Sequence, residues 1–522
     1  MKTIKTYIFL FTAFFLLGSC DKDFVEINTN PYAINEVEPG LLFANSQRLA
    51  HIGGWAGEHT IVQHFVNAYN SGATLGFNFN ADIDGISNPQ WDASYPDALK
   101  NLGQAVVLLG EDGAQSNLLS MIRIWKAQIF MGLVDHYGDV PYFNAGKAVT
   151  DGIFYPEYDD DAAIYDDLYT EITAALAALN PSGDFVSADL FYGTNGSVPS
   201  GDAATQVAKW KKLGNSLLLR LGMRYSKVNA SLAESIVSEA VAGGVMTANA
   251  DNAYLTYDGS LYSNGGNASL RNFSYFNYAA EPLVDQLKST NDPRGKFIVA
   301  SYDEPAAITD GVPDTVLANQ FGVPVGVLSG TIAADIAMAT YRGPKGGGLN
   351  YSQMNIYSVA SPVAPRVFVT YAQTSLLLAE AAAMGWISGS AQDFYEDGIA
   401  ADMQWYSQYP NSEVTASEIA TYLSQPGVAF DAANALELIN TQYWVVNISN
   451  GSEAFANFRR SGFPTLSRND FDDSLLANGG DGFVRRMSYP DRESSANETN
   501  YSAAAAAMGG DVLTSRVFWD KP

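Results

Sequence analysis

The chain of 522 residues contains one cysteine, Cys20, and four histidines, His51, His59, His64 and His136. A single cysteine excludes an intrachain disulfide, a zinc–thiolate site and, if Cys20 is modified, a thiol nucleophile. His59 and His64 lie five residues apart, so they lack the i,i+4 spacing of a metalloprotease helix. There is no G-x-S-x-G elbow, no Walker A loop and no dinucleotide-binding glycine pattern; Gly346-Gly347-Gly348 has neither the spacing nor the flanking elements. Asp82-Ile83-Asp84-Gly85 begins like a calcium loop, but the glycine comes too early and no glutamate closes it. Carboxylate pairs are so common here that they do not single out a glycosidase. Positive charge is also scarce: 29 Lys and Arg against 56 Asp and Glu give a net charge of −27. Such a surface disfavours nucleic acid and anionic lipid heads. The chain is therefore expected not to be an enzyme, with no catalytic residue, no metal and no cofactor.

What is present is globular: 47% hydrophobic, 16% charged and, at 12%, rich in aromatics. Residues 1–19 read as a signal peptide, with Lys2 and Lys5 ahead of the apolar run from Ile8 to Leu17. That run is short for a membrane span, and no longer one follows. Leu17-Gly18-Ser19-Cys20 matches a bacterial lipobox, which makes Cys20 the acylated first residue of the mature chain. Acyl chains contribute about 0.8 kcal/mol per buried CH₂, enough for stable anchoring in lipid when several are attached.

The strongest pattern lies at Asn117 to Ala145. Leu118, Met121, Ile122, Trp125, Ile129, Leu133 and His136 recur at three- and four-residue steps, which predicts a helix buried along its length. His136 on that stripe reads as a satisfied core histidine. Gly138 suits a helix end, and Pro141 requires an extended Val140 before it. Asp159 to Asp161 precede a second helical run; a calcium site is the functional reading, and a helix cap the favoured one. In Gln206 to Val228, Trp210, Leu213, Leu217, Arg220, Leu221 and Arg224 share a face, and the arginines read as internal partners of carboxylates. Helical spacing resumes at Arg366 and runs through Trp444. Residues 69–88 and 257–278, by contrast, are rich in Gly, Asn, Tyr and Phe and read as loops.

These stretches carry a resemblance. Leu133-x-Asp135-x-Tyr137-Gly138-Asp139-Val140-Pro141-Tyr142 resembles the SusD/RagB family of outer-membrane nutrient-binding lipoproteins, in its SusD-like branch. So do Trp210, Lys212, Asn215, Ser216, Leu217, Arg220 and Arg224; Asp292-Pro293-Arg294; Thr370-Tyr371 to Gly385; Arg459-Arg460-x-Gly462-x-Pro464; and Arg486, Tyr489, Pro490, Glu493, Asn497 and Asn500. Asp23-Phe24 through Pro31 resembles the family's opening, and the acidic residues after Cys20 resemble its hosts' surface-export signal. Gln373 departs from the family's glutamate and removes a charge from an internal pair. The resemblance implies a mainly α fold, a tetratricopeptide-like scaffold of helix pairs with an inserted loop-rich subdomain; no 34-residue period is visible in the sequence itself.

The expected layout is a signal peptide (1–19), a lipidated tether (20–39), an N-terminal scaffold (40–228), an irregular insert (229–365) and a C-terminal scaffold and tail (366–522). The function implied is capture of oligosaccharide or peptide at the cell surface, as a lid on a SusC-type TonB-dependent barrel, with acylated Cys20 in outer-membrane lipid. The alternative is an accessory subunit of an outer-membrane complex that binds no ligand. Aromatics amid flexible polar neighbours are expected to face solvent, because irregular backbone is hard to satisfy inside a protein. The ligand site is accordingly placed on Tyr69, Phe77, Phe79, Tyr262 and Tyr275, with Asn78 and Asn264 hydrogen-bonding to it.

Overall fold

A computed structural model describes residues 37–522 apart from 72–74, 111–115, 195–200, 273–276, 303–311, 329 and 331–350. The leader, Cys20, the tether up to residue 36 and Tyr275 lie outside the described residues. The principal helices are α1 (Pro39–Leu49), α2 (Glu58–Ile61), α3 (Lys100–Leu109), α4 (Asn117–Tyr137), α5 (Asp161–Ala178), α6 (Ala203–Arg224), α7 (Ala230–Gly243), α8 (Tyr371–Ala383), α9 (Ala391–Trp405), α10 (Ala435–Val446) and α11 (Gly451–Ser461). They pack as neighbours in sequence, α4 on α5, α6 on α7, α8 on α9 and α10 on α11, and the pairs then stack on one another through α5–α6, α6–α8 and α8–α10. The fold is thus mainly α, a tetratricopeptide-like scaffold of helix pairs. Strands are short: β1 (Phe65–Asn67), β2 (Ala253–Leu255), β3 (Asn277–Ala279), β4 (Val299–Ala300), β5 (Gln353–Met354) and β6 (Arg366–Val369) pair antiparallel as β1–β3, β2–β6 and β4–β5. The segment expected to be an irregular insert opens with the regular helix α7, packed on α6.

The central helix α4 is buried on nearly every face, not only along its predicted stripe. Ile124, Phe130, Met131, Val134 and Tyr137 join the seven stripe residues in the interior. Trp125 is fully buried, edge-on to Phe191 and Phe368 at 5.1 Å each. Ser116 caps the start by accepting from Leu119 N. Gly138 ends the helix at φ 76°, where a Cβ would also collide with Met508. The chain then leaves as expected, with Val140 bridged to Asp159.

The family motifs hold this frame together. Arg224 donates to both Asp135 (3.2 Å) and Glu453 (2.8 Å), joining α6, α4 and α11. Arg460 forks onto both oxygens of Glu380 at 2.7 and 2.6 Å. Arg294 forks onto Asp292 and also donates to Asp402 and Gln442. Arg459 donates to the Asp135 carbonyl and lies 3.6 Å over the Phe455 ring. All these arginines are buried. An unpaired charge there costs several kcal/mol, so each fork locks two or three helices in one register. At the family departure, Gln373 accepts from Arg220 (2.9 Å) and from Thr370 N, while Arg220 finds its carboxylate in Glu453 at 3.4 Å. Arg220 thus has an amide from Gln373 and a more distant carboxylate from Glu453.

Candidate ligand-binding surface

The two aromatic loops share an anchor. β1 and β3 pair with Phe65 opposite Ala279 and Asn67 opposite Asn277, and Asn67 Nδ2 donates to Asn277 Oδ1 at 3.1 Å across 210 residues of sequence. The end of β1 at Asn67 and the start of β3 at Asn277 therefore lie side by side. Beneath the ladder lies a small second core of Val66, Ala68, Tyr278, Ala280, Val323 and Tyr351. Tyr69 sits just beyond β1 with 38% of its surface exposed, its N–H donated to Asn67 Oδ1.

Phe77, Asn78 and Phe79 correct the expectation of solvent exposure: all three are 3% exposed. They form one 3₁₀ turn, closed by Asn80 in the left-handed region at φ 50°. Phe77 belongs to the main core, and Phe79 meets Phe471 edge-on at 5.1 Å. The Asn78 side chain is fully engaged, donating to the carbonyls of Asn67 and Val327 and accepting from Gly326 N at 2.7 Å. Asn469 donates in turn to the carbonyls of Phe77 and Asn78. Asparagine amides thus satisfy the irregular backbone, and this removes the reason for expecting the aromatics outside.

The second loop is built around Asp258. Its Oδ1 accepts the N–H groups of Ser260, Leu261 and Tyr262 at 2.8–3.0 Å, which hold its carboxyl below the usual range, and Gly259 N donates to the Tyr262 carbonyl. This tight turn presents Leu261 and Tyr262 at its tip, 83% and 58% exposed. Asn264, half-buried, starts the helix Gly265–Asn272: its carbonyl accepts from Ala268 N and its N–H donates to Pro362 O. Of the seven residues expected from sequence, Tyr69 and Tyr262 are the exposed aromatics among the described residues, by 38% and 58%. Sequence reasoning passed over Phe143, Phe154 and Tyr155, exposed by 45, 71 and 68% on the connection between α4 and α5. The signal was there: Ile153-Phe154-Tyr155 is an apolar run with neither helical nor strand period, stopped by Pro156.

The acidic and histidine clusters are bound up in structure. Carboxylate oxygens of Asp139, Asp160 and Asp161 lie within 4.8 Å of one another. Each accepts a backbone N–H, from Asp161, Ala163 and Phe518 respectively, and Asp160 is the N-cap of α5. Burial raises the Asp161 carboxyl to about 7; the Phe518 N–H opposes this, and Asp139 and Asp160 add to it. The four histidines form two pairs of contacts, His51 and His136 on Glu58 and His59 on His64. Glu58 Oε1 accepts from His136 (2.8 Å) and His51 (3.2 Å), and its Oε2 from Gly54 N. Burial pushes the Glu58 carboxyl up, but the two histidines outweigh it and hold it well below the carboxylate range. His59 and His64 share one hydrogen bond between their Nδ1 atoms at 3.1 Å, and burial brings the His59 ring down to about 4.

The model of the SusD-like family described as "starch-binding associating with outer membrane" matches residues 30–490. The chain belongs to the SusD-like family. Among solved structures, a chitin-binding protein is 28% identical with a TM-score of 0.76, over 93% of this chain and all of that one. A Bacteroidetes AC2a SusD-like structure is 25% identical with a TM-score of 0.78, over the same shares. A chitin-binding SusD homologue from Flavobacterium johnsoniae, at 20% identity and a TM-score of 0.72 over 92% of this chain and 97% of that one, matches in fold. No curated protein matches the chain. No helix of the described residues is long and apolar enough to cross a membrane. In this SusD-like chain the family motifs are the buried forks of the scaffold, and the exposed aromatics lie between them.

Proposed function

We infer that this SusD-like protein captures glycan at the cell surface, tethered to the outer membrane through acylated Cys20, and delivers it as a lid to a SusC-type TonB-dependent barrel. The observation that carries the reading is the family match over residues 30–490, and the 28% identical chitin-binding structure favours a glycan over a peptide. Tyr69 and Tyr262 suit sugar recognition, because an exposed ring face packs against the C–H face of a sugar while amides nearby bond to hydroxyls. Tyr275 and Asn264 complete the proposed surface. No acid/base pair is needed for such a role, since the protein binds and passes on its ligand unchanged.

Calorimetry on the lipid-free chain, titrated with chito-oligosaccharides, malto-oligosaccharides and short peptides, tests it. One glycan series is expected to bind, and Tyr69→Ala with Tyr262→Ala to weaken it about tenfold, roughly 1.4 kcal/mol. Binding of peptides alone would replace the glycan. Binding of none, with the chain still recovered bound to a barrel, would replace capture by an accessory role.

A further inference from the structure

Where α4, α6, α11 and the short helix Pro89–Ala93 meet, they line a small, partly open cavity of about 30 Å³ with mixed polar and apolar walls. Its wall includes Gln90, Trp125, Gln128, Arg220, Ser452 and Glu453. Three side-chain atoms of the residues lining it are buried and have no hydrogen-bond partner among the described residues, Trp125 Nε1, Ser452 Oγ and Gln90 Oε1, and Arg220 Nε has only the Glu453 carboxylate at 3.4 Å. Gln90, Trp125 and Arg220 are themselves at most 3% exposed. An unmet buried polar atom costs about 1–3 kcal/mol, so several on residues around one small space point to a ligand that bonds to them.

The chemistry of the four atoms selects the ligand. Trp125 Nε1 and Arg220 Nε only donate, Gln90 Oε1 only accepts, and the Ser452 hydroxyl does either. A cation meets the carboxylates of Asp135 and Glu453, but these are already paired with Arg224 and Arg220, and the N–H donors of the wall cannot ligate it. An anion is repelled by Gln90 Oε1 and by Glu453, whose Oε2 already lies 3.4 Å from Arg220 Nε. Water both accepts and donates, and a buried site needs roughly 10–15 Å³ of such space per molecule. We propose that the cavity is an internal water site, holding one or two ordered waters that link Trp125 on α4 to Gln90, Arg220 and Ser452. Water there closes the joint between four segments that are far apart in sequence, and the Trp125 indole is its donor from the central helix.

Two measurements on the full mature chain test this. A high-resolution crystal structure is expected to show water within about 3.2 Å of Trp125 Nε1 and of Gln90 Oε1. A bromide soak of the same crystals is expected to leave no anomalous peak there. Bromide in the cavity would overturn the proposal in favour of an anion site, as would a rotated Gln90 amide that turns its nitrogen inward. Side chains found paired directly across the space would overturn it too. In solution, oxygen-17 relaxation dispersion counts long-lived internal waters, and Ser452→Val, which fills the space, is expected to lower the count by one or two. An unchanged count in a folded Ser452→Val variant would also overturn it. Should that variant fail to fold, the crystal structure of the wild-type chain decides alone.

Discussion

The central helix α4 and the turn at Phe77–Phe79 bury their aromatics equally well, yet only one of them announced it. Trp125 is fully buried on a 21-residue helix whose backbone bonds are made within itself. Phe77 is 3% exposed in a three-residue turn whose backbone is satisfied by amides from afar, Asn469 reaching the carbonyl of Phe77 at 2.9 Å across 392 residues of sequence. A helix needs only the right faces to be apolar, so its burial is written in the spacing of its own residues. An irregular turn can be buried only if distant side chains take up its polar groups, and nothing in its own sequence records whether they do.

This contrast can be broken by experiment. Trp125→Ala is expected to cost roughly 3–5 kcal/mol, as truncation of a large core aromatic does. A denaturation midpoint like that of wild type would place the indole outside the core. Phe77→Ala should behave in the same way, costing about 3 kcal/mol, with melting curves and ligand titration measured on one sample. Retained stability with lost affinity would return Phe77 to the ligand surface.

The histidine cluster under α2 supplies a pH handle on the regular side. The His59 ring, brought down to about 4 chiefly by burial, stays neutral in the folded protein while the unfolded ring takes up a proton near pH 6.5. Its contribution is therefore fully present above about pH 6.5 and is lost as pH falls toward 4, at up to ~1.4 kcal/mol per unit. Burial raises Asp161 to about 7 and Asp402 to about 6, and these carboxyls act in the opposite sense, favouring the folded state as they take up protons. The histidine term is best read directly, by NMR titration of the His59 ring. A midpoint near 4 is expected, and one near 6.5 would show the ring to be in water.

The smallest effect sharpens the contrast from the exposed side. Tyr262→Ala, at the tip of the Asp258 turn, should change stability by less than about 0.5 kcal/mol, as surface substitutions usually do, while weakening glycan binding. A large loss of stability would mean that this turn, like the 77–79 turn, is held against the body of the protein.

The sequence by itself was enough for the helices with a clean period and for the family. Asn117 to Tyr137 and the capped start of α5 at Asp160 follow from spacing and end chemistry alone, and the arginine-bearing helix read at Gln206 to Val228 is there, at Ala203–Arg224. The expectation that Arg220 and Arg224 meet carboxylates followed from burying a charge on an apolar face, although only the fold names Glu453 and Asp135 as the partners. Tertiary structure alone decided which loop aromatics are inside. Asn78 reads as a polar loop residue that would suit a sugar-binding surface as well as an internal clasp, and nothing in the sequence marks Asn469 as its neighbour. Their amides are spent on carbonyls of residues up to 392 positions away. It was also the fold that paired β1 with β3, and that brought His51 and His136 to Glu58 and His59 to His64. Local periodicity encodes which face of an element is apolar. Which distant donor satisfies an irregular carbonyl is a property of the packed chain, because it depends on contacts that no local pattern records.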